Sequence, residues 1–215
     1  MKRNTIQMRQ RMNAARQAER RFLRERETRQ NDVRKATAEV FAMCILIALY
    51  DQYGIGEARL QRVADAANER SERYEQMKNG VPRLVDGKKR TGPELAEIEL
   101  ERDTAGIFPA DFLLPVHRMP RKRNDAEIYA QRMAARTVGR LYAYGMSQAL
   151  GFGAQRIGSV IDGATDNYRH FRERADEGDY FGYDLLARKL SQILHSPCTV
   201  QDGGATAPVF GDTLD

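Results

Sequence analysis

The chain has 215 residues, 30% charged and 41% hydrophobic, with two cysteines. That is enough for one large or two small domains with real cores, and it excludes a disulfide scaffold, so a reducing compartment is expected. The longest apolar run, Val40 to Tyr50, is far shorter than the ~20 residues of a membrane span. The basic N-terminus leads into more charge and not an apolar stretch, so neither a signal peptide nor membrane attachment is expected, and the chain reads as cytoplasmic.

The net charge of +5 hides an asymmetry. Residues 1–35 hold 12 Lys and Arg against Glu19, Glu25, Glu27 and Asp32, while the remaining residues hold 23 bases against 26 acids. All the net basicity therefore sits in the N-terminal segment, and a segment of that kind meets something anionic: nucleic acid, an acidic protein face, or its own acidic body.

Along the chain, Thr5 to Tyr53 contains neither Gly nor Pro and is rich in Ala, Arg, Gln, Glu and Met, a composition that predicts helix. Met8, Met12, Ala15 and Phe22 give only a thin apolar stripe between arginines. Thr28–Asp32 is the expected break, with Asn31 or Asp32 capping a second helix. That second helix is apolar on nearly every face over 40–50 and is expected to be central and buried. Residues 1–30 are thus read as a basic arm and 31–80 as a first helical hairpin.

The hairpin turns at Gly54-Ile55-Gly56, where a glycine can take the left-handed conformation and Ile55 can plug the corner. The following helix carries a stripe of Leu60, Val63, Ala64, Ala67, Ser71 and Tyr74. The same unit recurs 97 residues later. Carried from 53–77 onto 150–174, the offset keeps Gly54/Gly151, Gly56/Gly153, Arg59/Arg156, Val63/Val160, Asp65/Asp162 and Ala67/Ala164. Chance, at roughly 6% per position, would give one or two identities. The second stripe is Ile157, Val160, Ile161, Ala164, Tyr168 and Phe171.

Between the units, 81–120 reads as a linker. Asn79–Pro82 and Gly87–Pro93 are turn-rich and suggest loop or a short hairpin. Glu94–Asp103 is a short acidic helix opened by Pro93 and closed before Gly106, and Phe108–Pro120 with its three prolines is an extended connector. Residues 121–195 form the second hairpin plus a helix over Asp184–His195, and the Gly/Pro/Thr-rich 196–215 reads as a disordered tail. The expected fold is all-α: two pseudo-repeated helical hairpins, each a buried helix, a G-x-G corner and a long amphipathic helix, behind a basic N-terminal helix.

Three constellations are weighed for chemistry. Arg9, Arg16, Arg20 and Arg24 of the arm, with the patch Arg118, Arg121, Lys122 and Arg123, are the candidate nucleic-acid contacts, for DNA or RNA; the arm can equally be a subunit-packing arm or a solvated helix. Gly56 with Arg59, and Gly153 with Arg156, are possible anion sites, because free amides at a helix start and an arginine one turn in can hold a phosphate; a structural corner is the competing reading, since neither copy fits a nucleotide fingerprint. Tyr142, Tyr144, Tyr180 and Tyr183 with Phe181 could stack on bases, against a core role. Cys44 reads as core packing and Asp65 and Asp162 as partners of arginines. The scattered His117, His170 and His195 make no metal pair, and no nucleophile, base and orienter come together, so no catalytic residue, metal or cofactor is expected.

The run Ala48-Leu-Tyr50-Asp51-Gln52-Tyr53-Gly54-Ile55-Gly56-Glu57-Ala58-Arg59-Leu60 resembles a pattern of small uncharacterised bacteriophage and prophage helical proteins, Y-D-x-[FY]-G-[FI]-G-x-x-R-L. The likeness covers about 38–77 and, more weakly, 137–174, where Ser147-Gln148 replaces Tyr50-Asp51. It implies a phage-type accessory protein in a bacterial cytoplasm and brings no activity of its own. A non-enzymatic protein that binds nucleic acid through the arm and patch is the leading reading, and it rests on the charge asymmetry. A counter-defence protein that sequesters a host factor or a phosphorylated ligand, and a structural assembly protein, are the other readings; a homo-oligomer is expected, and the partner is nucleic acid or a host or phage protein.

Overall fold

With no Gly or Pro to interrupt it, the N-terminal segment forms one helix, α1, over Lys2–Tyr53. The computed structural model describes residues 2–116, 125–177, 181–196, 199–200 and 206–207, of which 2–22, 175–177, 181, 199–200 and 206–207 are described by backbone course alone. The expected break at 28–32 is absent: α1 passes through it unbroken. Asn31 and Asp32 are weak helix formers, but their cost is a fraction of a kcal/mol each, too little to stop a helix that the apolar 40–50 segment anchors at its C-terminal end.

The chain continues as α2 (Glu57–Lys78), the strands β1 (Arg83–Val85) and β2 (Lys88–Arg90), α3 (Gly92–Asp103), α4 (Asp125–Leu150), α5 (Ala154–Glu177) and α6 (Phe181–Leu194), and then the short strands β3 (Thr199–Val200) and β4 (Thr206–Ala207). The fold is all-α, with two small two-stranded pairings as its only sheet among the described residues. β1 and β2 pair antiparallel, Val85 opposite Lys88, around Asp86 and Gly87, both at positive φ, the two-residue turn that Asp-Gly favours. The Thr91 backbone N–H, at the start of α3, donates to the Glu94 carboxylate at 2.7 Å, and these bonds hold that carboxyl below its ordinary pKa.

Both G-x-G corners are built alike. Gly54 (φ +62°) and Gly151 (φ +65°) close α1 and α4 in the left-handed region, their N–H groups donating to the carbonyls of Tyr50 at 2.8 Å and Ser147 at 3.1 Å, with a further bond at the second corner from the Phe152 N–H to the Met146 carbonyl at 3.3 Å, a helix stop that glycine makes cheaply. Gly56 caps α2 with ordinary extended backbone. Ile55 and Phe152 are both buried, as corner plugs should be.

The corners do not fold each unit back on itself. α1 packs along α4 and α5, and α2 packs on α4, so each unit's second helix lies against the other unit's first. α1 and α4 run parallel and in register: Arg29 pairs with Glu127 at 2.7 Å, the Phe41 ring stands 3.6 Å from where a Gly139 methyl would be, and the Tyr53 and Phe152 rings lie 5.1 Å apart. The packing order is α5, α1, α4, α2. The short helices follow the same scheme, α3 across α2 and α4, α6 across α5 and α1. α1 is accordingly buried over Val40–Leu49, apart from partly covered Ala42 and Leu46.

Two close crossings set the spacing. A methyl on Gly145 of α4 would meet the Val63 carbonyl of α2 at 2.5 Å, and one on Gly163 of α5 would meet the Ala48 methyl of α1 at 3.4 Å and the Gln52 amide at 2.1 Å. Gly145 and Ala48 are 97 residues apart, the offset of the sequence repeat. The connector 104–116 is more than a linker, since Phe108 and Leu114 are buried and Phe112 packs on Phe41 at 5.6 Å. The tail 201–205 and 208–215 lies outside the described residues.

Gly145→Ala should destabilise the chain by about 1–3 kcal/mol, the range for overpacking a close backbone contact. Gly158→Ala, inside α5 with nothing within 4 Å of the added methyl, should stabilise it by roughly 0.5–1 kcal/mol. Urea denaturation of the two variants against the parent measures both signs.

Candidate nucleic-acid interface

Among the described residues, the in-register α1–α4 pair sets how far α1 runs past the start of α4. α4 begins at Asp125, level with Arg29 through its Glu127 partner, so the part of α1 before Arg29 extends past it by about 40 Å at 1.5 Å per residue. Leu23 to Arg29 are all exposed. Arg24 therefore stands on open helix surface. At 100° per residue, positions 9, 16, 20 and 24 fall within about 80° of the helix circumference, so the four candidate arginines occupy one face in register; for Arg9, Arg16 and Arg20 the structure describes only this backbone position. Arg118, Arg121, Lys122 and Arg123 lie outside the described residues.

The parallel pairing brings further bases level with the root of the arm. Arg132 and Arg136 of α4 are half-buried, and each has a buried Nε with no hydrogen-bond partner. Sequence reading passed over them; the signal was available as two arginines one turn apart in the second copy, the first of them level with Arg34.

The corners come together at the opposite end. Tyr53 stacks near Phe152, and Gln52 and Ser159 exchange two hydrogen bonds, each of 3.0 Å. Arg156 is exposed and lies over the Phe152 ring at 5.4 Å; Arg59 is exposed. Gly56 and Gly153 accept helix-start bonds through their carbonyls, from Leu60 at 3.1 Å and Ile157 at 3.0 Å. The arginine of the second copy is engaged with its own corner ring. Asp65 accepts from Gln61, one turn before it on α2, at 2.8 Å, and not from an arginine.

The aromatic candidates are packing groups where they are described. Tyr183 meets Phe171 edge-on at 5.0 Å, and Tyr142 packs between the two buried clusters; Tyr144 is half-buried. The side chains of Tyr180 and Phe181 lie outside the described residues, as do His117 and Cys198. Cys44 is buried, and burial pushes its thiol well up, as expected of a core cysteine.

The polar groups that sequence reading missed lie around α3. Arg70 stands in the α2 stripe where Ser71 was expected, and it is 2% exposed. Its Nε donates to Asp103 at 2.9 Å. Arg140, also buried, donates to Glu101 at 2.7 Å and lies over the Phe108 ring. Glu97 accepts from Tyr74 and, at 3.3 Å, from Thr137. The acidic face of α3 thus supplies the carboxylates for arginines buried on α2 and α4.

Burial pushes the Tyr142 hydroxyl up to about 12, and Tyr74, Tyr168 and Tyr183 are raised as well. The folded chain keeps these phenolic protons where the unfolded chain, with tyrosines near 10, has lost them. Their contribution to stability is complete below about pH 10 and is lost as pH climbs toward 12. Denaturant midpoints should therefore fall over that alkaline window, measured by urea denaturation at a series of pH values. No described helix is long and apolar enough to cross a membrane. No protein-family model, curated protein or solved structure matches the chain.

Proposed function

We propose that this is a non-enzymatic accessory protein of the phage type that its 38–77 segment resembles, acting in a bacterial cytoplasm and binding nucleic acid along the basic N-terminal half of α1. The observation that carries the reading is that the segment holding the whole net positive charge is continuous with a helix buried in the core and runs past the start of α4. A basic helix rooted in a rigid domain can lie along a groove with its arginines spaced by helical turns, and it needs no folding step on contact. Arg9, Arg16, Arg20 and Arg24 are the phosphate contacts in this reading, and Arg118, Arg121, Lys122 and Arg123, which immediately precede α4, add a second basic stretch. The contacts are to phosphate and carry no sequence preference.

The test is duplex DNA and RNA binding by the full chain at two salt concentrations, beside the variant Arg16→Ala, Arg20→Ala, Arg24→Ala. The parent should bind with a steep salt dependence. The variant should bind more weakly, alike across sequences, with a slope smaller by about 2.7, at ~0.9 per lost phosphate contact. Affinity and slope unchanged in the variant would overturn the proposal; self-association abolished by removing residues 1–30, with no binding to either duplex, would assign the arm to assembly between copies instead.

A further inference from the structure

A cleft of about 620 Å³ opens between α2, the β1–β2 hairpin and α3, on a part of the molecule separate from the arm and the corners. Its size lies in the range of small-molecule sites. Its walls are fixed by close backbone packing: Gly92, at the start of α3, would place a methyl 2.3 Å from the Lys78 carbonyl and 2.9 Å from those of Met77 and Gly80. The hairpin root and the end of α2 are therefore pressed together.

The lining divides into two chemistries. Four guanidinium groups, of Arg70, Arg73, Arg83 and Arg102, face two carboxylates, of Glu99 and Asp103. Asp103 is shared, at 2.9 Å from Arg70 and 3.7 Å from Arg102; Arg102 also reaches Glu99 at 3.4 Å. Arg73 pairs with Glu69 outside the lining, and Arg83 has no acidic partner among the described residues. Arg70 is almost fully buried, yet its Nη1 has no hydrogen-bond partner, an uncommon state for so strongly donating a group. Apart from Gln76 and Gly80 the rest of the lining is apolar, Met77, Val81, Val85, Leu95 and Ile98, and the lining includes no aromatic ring. Val81 and Ile98 are exposed, at 71% and 41%, apolar surface that an occupant would cover.

We propose that this cleft binds a small organic anion with an aliphatic body. Its phosphate or carboxylate is held by Arg83, Arg102 and Arg73 beside the Arg70–Asp103 pair, and its chain lies on Val81, Val85, Leu95 and Ile98. The excess of guanidinium over carboxylate selects an oxyanion, which the planar fork of arginine holds through paired N–H donors. The aliphatic wall selects an alkyl body over a nucleobase, which would call for a ring to stack on.

The probes are octyl phosphate and octanoate below their micellar concentrations, inorganic phosphate, and adenosine monophosphate, titrated calorimetrically into the full chain. Saturable one-to-one binding of octyl phosphate or octanoate, tighter than that of inorganic phosphate, is expected; which of the two binds better identifies the head group. R83Q with R102Q should weaken it about tenfold or more, the loss of one or more charge-assisted hydrogen bonds. I98D should weaken octyl phosphate but leave inorganic phosphate unchanged. Both substitutions fall on exposed side chains, so the parent circular dichroism spectrum should be kept. The arm variant R16A, R20A, R24A should bind octyl phosphate like the parent, which separates this site from the nucleic-acid proposal. Absence of saturable binding, affinity unaltered by R83Q with R102Q, or equal affinity for inorganic phosphate and octyl phosphate would overturn it, as would adenosine monophosphate binding more tightly than octyl phosphate.

Discussion

The parallel, in-register contact of α1 with α4 is the constraint on which the rest of the molecule depends. Two parallel helices cannot be joined by a short turn, so the chain must travel back between them, and α2 with α3 makes that return. Because α4 occupies the flank of α1, α2 comes to rest on α4 and α5 on α1. The arrangement works only if backbones approach closely at the flanking crossings, which is why glycine stands at 145, where α4 meets α2, and Gly163 faces Ala48 where α5 meets α1. Apolar side chains then fill what remains: Phe41, Ile45, Leu49, Met146, Ile157, Ile161 and Val160 are nearly devoid of solvent contact, a closely packed arrangement in which each methyl group matters.

The two halves differ in how they treat charge. In the second half the stripe of α5 is apolar throughout, with Asn167 reaching the Cys44 carbonyl at 3.3 Å as its polar contact. In the first half the position equivalent to Asn167 is Arg70. A buried guanidinium is tolerable only with a carboxylate beside it, and α3 brings Asp103 to it, and Glu97 and Glu101 to Arg140. The acidic character of α3 is therefore a consequence of the arginines it covers. On the α6 side Lys189 pairs with Asp51 at 2.9 Å.

Much of this was legible in the chain. The glycine corners with Ile55 and Phe152 as plugs, the apolar 40–50 segment as a central helix, the short acidic helix opened by Pro93 and the turn-rich 79–93 segment all follow from local chemistry: left-handed glycine, apolar faces, and turn residues. The break at 28–32 did not materialise, because capping residues start a helix only where the preceding chain has a reason to leave it. Which helix lies against which was not legible, since the stripes of α2 and α5 show that they are covered without showing by what. The buried arginines escaped for the same reason. Periodicity treats Arg70 as a polar residue beside the stripe, and only the arrival of Asp103 from 33 residues away turns that position inward. The arm was readable as charge, and its extent became definable only once Arg29 was found opposite Glu127.

The exchange of second helices between the two units has a consequence for how the molecule comes apart. In ordinary repeat arrays each module contacts only the next in sequence, and the array can fray from an end. Here neither unit owns a core. The stripe of α2 is covered by α4 and that of α5 by α1, so separating the units exposes both stripes and both central helices at once. Partial unfolding of one half removes the surface against which the other half is ordered, which makes the two halves a single cooperative body despite a sequence that reads as two.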